Sequence, residues 1–147
     1  MSGYEAFKNI NKELSKEILQ KQHVSDIRIN IYLKVIYEGS EIKDVSEELG
    51  IKTSTIYSAL SNCCSCLRMY IRHCGYELNP TLSGNLLTLG LPRRISLALL
   101  RRRVFTIEQL INMKTQDLMV LRDIGVGSVK LIDETLNAYG FQRVQED

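Results

Sequence analysis

The chain has 147 residues, 44% of them hydrophobic and 24% charged, with a net charge of +2. These are globular averages that exclude a disordered tail, and the length supports one domain or two small ones. Nothing runs apolar for the ~18 residues a membrane span needs, and the N-terminus lacks the apolar core of a signal peptide, so the expectation is a cytoplasmic protein without a membrane partner.

The charge is unevenly spread. Between Ile51 and Ile107 lie Lys52, Arg68, Arg72, Arg93, Arg94, Arg101, Arg102 and Arg103, opposed only by Glu77, while the remaining residues are net acidic. A charge-balanced protein with one basic sector can bind a polyanion there and present an acidic face elsewhere. A solvated charge run is the plainer account of such a stretch.

Residues 1–24 form an N-terminal amphipathic segment. Tyr4 to Leu19 reads as one helix with Phe7, Ile10, Leu14 and Ile18 on a single stripe. Such a stripe packs on its own domain or serves as a partner helix, and a homodimer is expected, if at all, through this helix or through the long recognition helix of the next module.

Residues 25–75 read as a helix-turn-helix domain. Asp26 to Gly39 supplies a supporting helix on Ile27, Ile31 and Val35. Ile42 to Leu60 then traces helix, tight turn, helix: Ile42, Val45 and Leu49 precede Gly50 at the C′ position, and Ile51, Ile56 and Leu60 follow, with Thr53 or Ser54 as N-cap. Ser46 places a small residue where the two helices approach. The second helix runs from about Thr53 to Cys74 on a face of Ile56, Leu60, Cys63, Leu67, Tyr70 and Cys74.

That arrangement, over Asp26 to Arg72, resembles region four of bacterial sigma factors and the related DNA-binding domains of response regulators. The resemblance implies a recognition helix whose first turns read a major groove, with Thr53, Ser54, Thr55, Tyr57, Ser58 and Asn62 as the candidate readers. This helix carries no acid, whereas the helix before it carries Glu41, Asp44, Glu47 and Glu48. The acidic helix is equally a candidate protein-docking face, and a trihelical domain of this shape can serve protein contacts alone.

Cys63, Cys64, Cys66, His73 and Cys74 cluster within the long helix. At 1.5 Å per residue Cys63 and Cys74 lie about 16 Å apart along its axis, too far to share a tetrahedral ion, and paired Cys-x-x-Cys knuckles are missing. Buried thiols acting as small hydrophobes are expected, with no metal and no cofactor. Thiols held outside disulfides also suit a reducing compartment.

Pro80 and Gly84 break helical periodicity, and residues 76–85 read as a linker. The final module, 86–142, holds two features. Arg93, Arg94, Arg101, Arg102 and Arg103 occur with no acid among them. A Gly125-Val126-Gly127 hairpin then sits between amphipathic stretches anchored by Leu118, Leu121, Val129 and Ile132. Glycines tolerate positive φ and let backbone come close to a ligand, and a following helix points unpaired amides and positive dipole at an anion. Ser128 adds a hydroxyl and Lys130 a cation. The same three residues also suit a plain packing turn.

Leu89 to Leu136 resembles, without a gap, the C-terminal domain of the bacterial RNA polymerase alpha subunit. The likeness is carried by Leu89-x-Leu91, Arg94, Leu99, Val104, Thr106-Ile107-Glu108, Leu110, Asp117-Leu118, Arg122, Ile124-Gly125 and Ser128. It implies a compact helix-hairpin-helix bundle in which Arg94 enters the minor groove, with Arg93, Gly125, Gly127, Ser128 and Lys130 on the same DNA-facing surface. The family's contacting asparagine is Leu97 here, its hairpin asparagine is Asp123, and its second hairpin lysine is Gly127. The Gly-x-Gly form is that of a general helix-hairpin-helix, which grips phosphates by backbone amides.

The fold expected is all-α, a helix-turn-helix followed by an alpha-C-terminal-domain-like bundle. His23 and His73 form no evident catalytic pattern with an acid or nucleophile in the sequence, and no P-loop or dinucleotide fingerprint occurs, so no catalytic residue is assigned and no enzyme is expected. The function expected is a DNA-binding transcription protein acting at promoters, with double-stranded DNA and RNA polymerase as partners. Two alternatives remain at this stage: a helix-hairpin-helix accessory protein of DNA repair or recombination, and a polymerase-binding protein that does not touch DNA.

Overall fold

In the computed structural model, which describes residues 4–144, every regular element is helical, and extended pairing among the described residues is confined to one antiparallel bridge between Asn85 and Thr106. The chain divides into two compact units, with the boundary between Arg72 and His73.

The first unit opens with a 3-10 turn, Glu5–Asn9, followed by α1 (Lys12–Lys21), α2 (Asp26–Ile36), α3 (Ile42–Leu49) and α4 (Thr53–Cys74). The single N-terminal helix expected from Tyr4 to Leu19 is therefore broken. Ile10 is extended at φ −83°, ψ 134°, and the Asn11 side chain caps α1 by accepting from the Leu14 amide at 3.1 Å. A capping asparagine satisfies an orphan donor only where a helix starts, so the apolar stripe continues across a cap rather than along one helix. Tyr37 fastens the 3-10 turn. Its hydroxyl donates to the carbonyls of Phe7 and Ile10 at 3.2 and 2.8 Å and lies 2.7 Å from the Ser15 hydroxyl. Phe7 meets Tyr32 edge-on at 6.5 Å.

The turn between α3 and α4 follows from two residues. Gly50 takes the left-handed conformation (φ 65°, ψ 33°) that L side chains resist, and so ends α3 without strain. The Ser46 hydroxyl donates to the Ile51 carbonyl, while the Ile51 amide donates to the Ser46 carbonyl at 3.1 Å. Neither Thr53 nor Ser54 is the N-cap: the Thr55 and Ile56 amides both donate to the Lys52 carbonyl, so the helix begins one residue earlier than a Thr53 cap would place it and two earlier than a Ser54 cap. Val45, Ile56, Leu60, Cys63, Leu67 and Tyr70 are all fully buried and make the core with Ile18, Leu19, Ile31 and Ile36. Each large apolar side chain buried this way contributes on the order of 1.5–3 kcal/mol.

The second unit contains a 3-10 turn, Leu86–Leu89, then α5 (Arg93–Arg101), α6 (Ile107–Ile111), α7 (Thr115–Met119) and α8 (Val126–Ala138). Leu86, Leu99, Ile107, Leu110, Leu118, Ile132 and Leu136 are fully buried at its centre. The stretch 76–85, read from sequence as a linker, lies wholly within this unit. Leu82 and Gly84 accept from the Glu108 and Ile107 amides at 2.9 and 3.0 Å, and the Leu86 amide donates to the Phe105 carbonyl at 2.8 Å. Thr106 and Gln109 then start α6 with a reciprocal capping box. Beyond residue 142 the chain turns back. Arg143, its side chain largely buried, makes a two-pronged ion pair with Asp133, at 2.6 and 3.1 Å, and donates to the Met113 carbonyl and the Thr115 hydroxyl at 2.7 and 3.0 Å.

Candidate nucleic-acid interface

The hairpin of the second unit is built by α7, a short bend and α8. Leu118, Leu121, Ile124 and Val129 are buried beneath it, which leaves Gly125, Val126 and Gly127 on the surface. Gly125 is the N-cap of α8, is extended (φ −118°, ψ −170°) and provides no capping side chain. The first backbone bond of α8 runs from the Val129 amide to the Gly125 carbonyl at 3.0 Å. The amides of Val126, Gly127 and Ser128 thus precede the helical ladder and face outward with the positive end of the helix dipole.

This differs in one respect from the sequence expectation. Positive φ is not what the hairpin glycines supply, since the left-handed residue of the turn is Asp123, at φ 72°. What Gly125 and Gly127 supply is clearance: a Cβ built on either would meet no atom within 4 Å, so the space above them is open to a ligand.

A cleft of about 490 Å³ lies over these amides, lined by Pro92, Arg94, Ile95, Asp123, Gly125, Gly127, Ser128 and Leu131. Four of the residues singled out from sequence, Arg94, Gly125, Gly127 and Ser128, therefore share one concavity. Arg94 reaches it because Pro92 caps α5, which turns Ile95, Ser96, Ala98 and Leu99 into the core and leaves the arginines outside. Arg93 is exposed on the same first turn but does not line the cleft. Lys130 also lies outside it, its side chain 78% exposed and 4.0 Å from Glu134 on the same helix face. A pair this exposed adds little stability.

Sequence reasoning counted Asp123 only as a departure from a family and did not foresee its position. Asp123 lines the cleft, and its carboxylate stands 4.0 Å from the Arg101 guanidinium. The arrangement can hold an anion between backbone amides, the Ser128 hydroxyl and Arg94, with Asp123 as the one opposing charge in the lining.

In the first unit, Thr53, Ser54, Thr55, Tyr57 and Ser58 are exposed on the opening turns of α4, and Asn62 is half-buried. Tyr57 is 54% exposed. The α4 residues that face the core are apolar or cysteine. Burial pushes the Cys63 thiol up to about 12 and the Cys64 thiol up to about 11, which keeps both neutral. Cys66 is buried as well, so three of the clustered thiols act as core side chains.

Compared with known families, curated proteins and solved structures, the chain finds no match.

Proposed function

We propose that this is a DNA-binding transcription protein that works with bacterial RNA polymerase at promoters. The observation that carries the reading is the gathering of Arg94, Gly125, Gly127 and Ser128 around one open cleft. Uncapped helix amides and a guanidinium are the groups that hold a phosphodiester and steer an arginine into an adjacent groove. The exposed, acid-free opening of α4 supports a second contact, in which Thr53, Ser54, Thr55, Tyr57, Ser58 and Asn62 face a major groove. The polymerase partner rests on the likeness of the two modules to a sigma region and to the alpha-subunit domain.

A second reading, a polymerase-binding protein that does not contact DNA, draws on Val120 and Val126, which stand 72% and 76% exposed at the hairpin. Apolar side chains so exposed suit a protein contact better than a phosphate. A mobility-shift experiment with promoter and random duplexes, each with and without polymerase, separates the readings. The proposal expects the chain alone to shift both duplexes and polymerase to sharpen the preference for the promoter. Equal binding to all duplexes regardless of polymerase would favour a repair or recombination accessory, and a shift seen only with polymerase would favour the second reading.

A further inference from the structure

A second concavity lies on the other side of Asp123. It encloses about 590 Å³ and is lined by Ala98, Arg101, Arg102, Arg122 and Asp123. Its three arginines come from two separate places. Arg101 and Arg102 end α5, and Arg122 projects from the bend between α7 and α8. Cations at a helix C-terminus offset the dipole, which accounts for Arg101 and Arg102 locally but not for Arg122 arriving from another element. The only compensation in the lining is the Asp123 carboxylate, 4.0 Å from Arg101 with both side chains well exposed, so the cleft keeps a surplus of positive charge. Guanidinium forks match phosphate oxygens in pairs, and two arginines on one oxygen cluster give orientation as well as charge.

We propose that the Arg101, Arg102 and Arg122 cleft is a second phosphate seat, which takes a phosphodiester neighbouring the one held over the Gly125 to Ser128 hairpin. The inference rests on the DNA-binding reading above and specifies how the backbone runs across the second unit. Asp123 lines both clefts, so the two seats are adjacent and one strand can occupy them together. Arg101 then exchanges its loose pairing with Asp123 for a phosphate oxygen, and Arg122 closes the seat from the hairpin side.

The test is fluorescence anisotropy of the full chain with a labelled random duplex, titrated at several salt concentrations. The double variant Arg101→Gln with Arg122→Gln is compared with Arg103→Gln, which removes a neighbouring exposed cation that does not line the cleft. The seat predicts that the double variant loses about 0.9 in the slope of log K against log salt for each phosphate released and binds about tenfold more weakly at low salt. Arg103→Gln should leave the slope unchanged, and Arg101→Lys with Arg122→Lys should retain most of it. The same loss per charge removed, so that Arg103→Gln loses about half as much as the double variant, would overturn the seat in favour of diffuse charge. An unchanged slope in the double variant would overturn the seat while leaving hairpin binding intact. Failure of the unaltered chain to bind the duplex would overturn the DNA-binding reading itself, and the seat with it. Thermal unfolding of each variant, all at exposed positions, confirms that the fold is retained.

Discussion

Asp123 stands 4.0 Å from Arg101 and lines the clefts on both sides of itself, so a single carboxylate opposes the cations at both. It occupies a left-handed backbone position, φ 72°, which asparagine adopts as readily as aspartate. Asp123→Asn therefore removes the charge without straining the turn. Duplex affinity measured by anisotropy should rise several-fold in this variant, with thermal stability nearly unchanged because the exposed ion pair contributes little. A fall in affinity would mean that the carboxylate is itself a binding group.

Gly127→Ala separates packing from binding. Position 127 lies in the first turn of α8, its backbone is not left-handed, and an added Cβ meets no atom within 4 Å. Alanine should hold or raise stability, by up to about 1 kcal/mol, since glycine is the poorer helix former. The methyl group nevertheless projects into the space over the amides, so duplex binding should weaken. Circular dichroism on heating and anisotropy on the same sample check both halves.

In the first unit, Ser58→Ala alters an exposed side chain on the opening turns of α4. If this face reads base edges, the substitution should cost about 1–3 kcal/mol on the preferred duplex and leave random-duplex affinity unchanged. Competition between the two duplexes measures the difference, and equal loss on both would confine Ser58 to phosphate contact.

The second unit depends on Arg143. Its side chain, 8% exposed, bonds Asp133, the Met113 carbonyl and the Thr115 hydroxyl, thereby tying the segment after α8 to α8 itself and to the approach to α7. Arg143→Ala leaves the Met113 carbonyl and Asp133 without this partner and should destabilise the unit by about 2–3 kcal/mol. Lysine cannot reproduce a planar fork and should rescue little of the loss. Urea titration followed by circular dichroism gives the value.

The thiols of α4 supply a pH-dependent observable. Cys63 and Cys64 are buried and held neutral, their pKa values raised to about 12 and about 11 from the ordinary thiol range. A raised thiol pKa means that the folded state prefers the protonated form. The stability this represents is whole below the unfolded thiol pKa of about 8.5 and is lost as pH climbs through 11 to 12. Iodoacetamide at about pH 8 should label half-buried Cys74 well before Cys63, Cys64 and Cys66, as peptide mass spectrometry would resolve. Simultaneous labelling of all four would place these thiols outside the core.

Periodicity and caps made the first unit largely legible. Ile56, Leu60, Cys63, Leu67 and Tyr70 repeat at helical spacing and are buried, and Gly50 marks the turn because only a residue free of Cβ strain sits easily at its φ. The break at Ile10 and Asn11 was hidden because the apolar stripe carries on across it. In the second unit, the pairing of Leu82 and Gly84 with Ile107 and Glu108 is made by backbone atoms far apart in sequence and leaves no periodic trace. Arg143 was invisible for a similar reason: one arginine in a polar tail shows no sign of the carboxylate and carbonyl it meets. Arg94 and the hairpin were named together through a family resemblance. The meeting of Arg122 with Arg101 and Arg102 needed the fold, since a turn brings together residues some twenty positions apart.

The central claim, that the cleft over the Gly125 to Ser128 hairpin holds duplex DNA, is tested most directly by the salt-dependent affinity of the full chain and of Arg94→Ala for one labelled duplex. The account predicts that the unaltered chain binds with an affinity falling steeply between about 50 and about 200 mM salt. It also predicts that Arg94→Ala weakens binding more than alanine at Arg93 or Arg103. Absence of duplex binding by the unaltered chain, or equal effects of alanine at all three arginines, would contradict it.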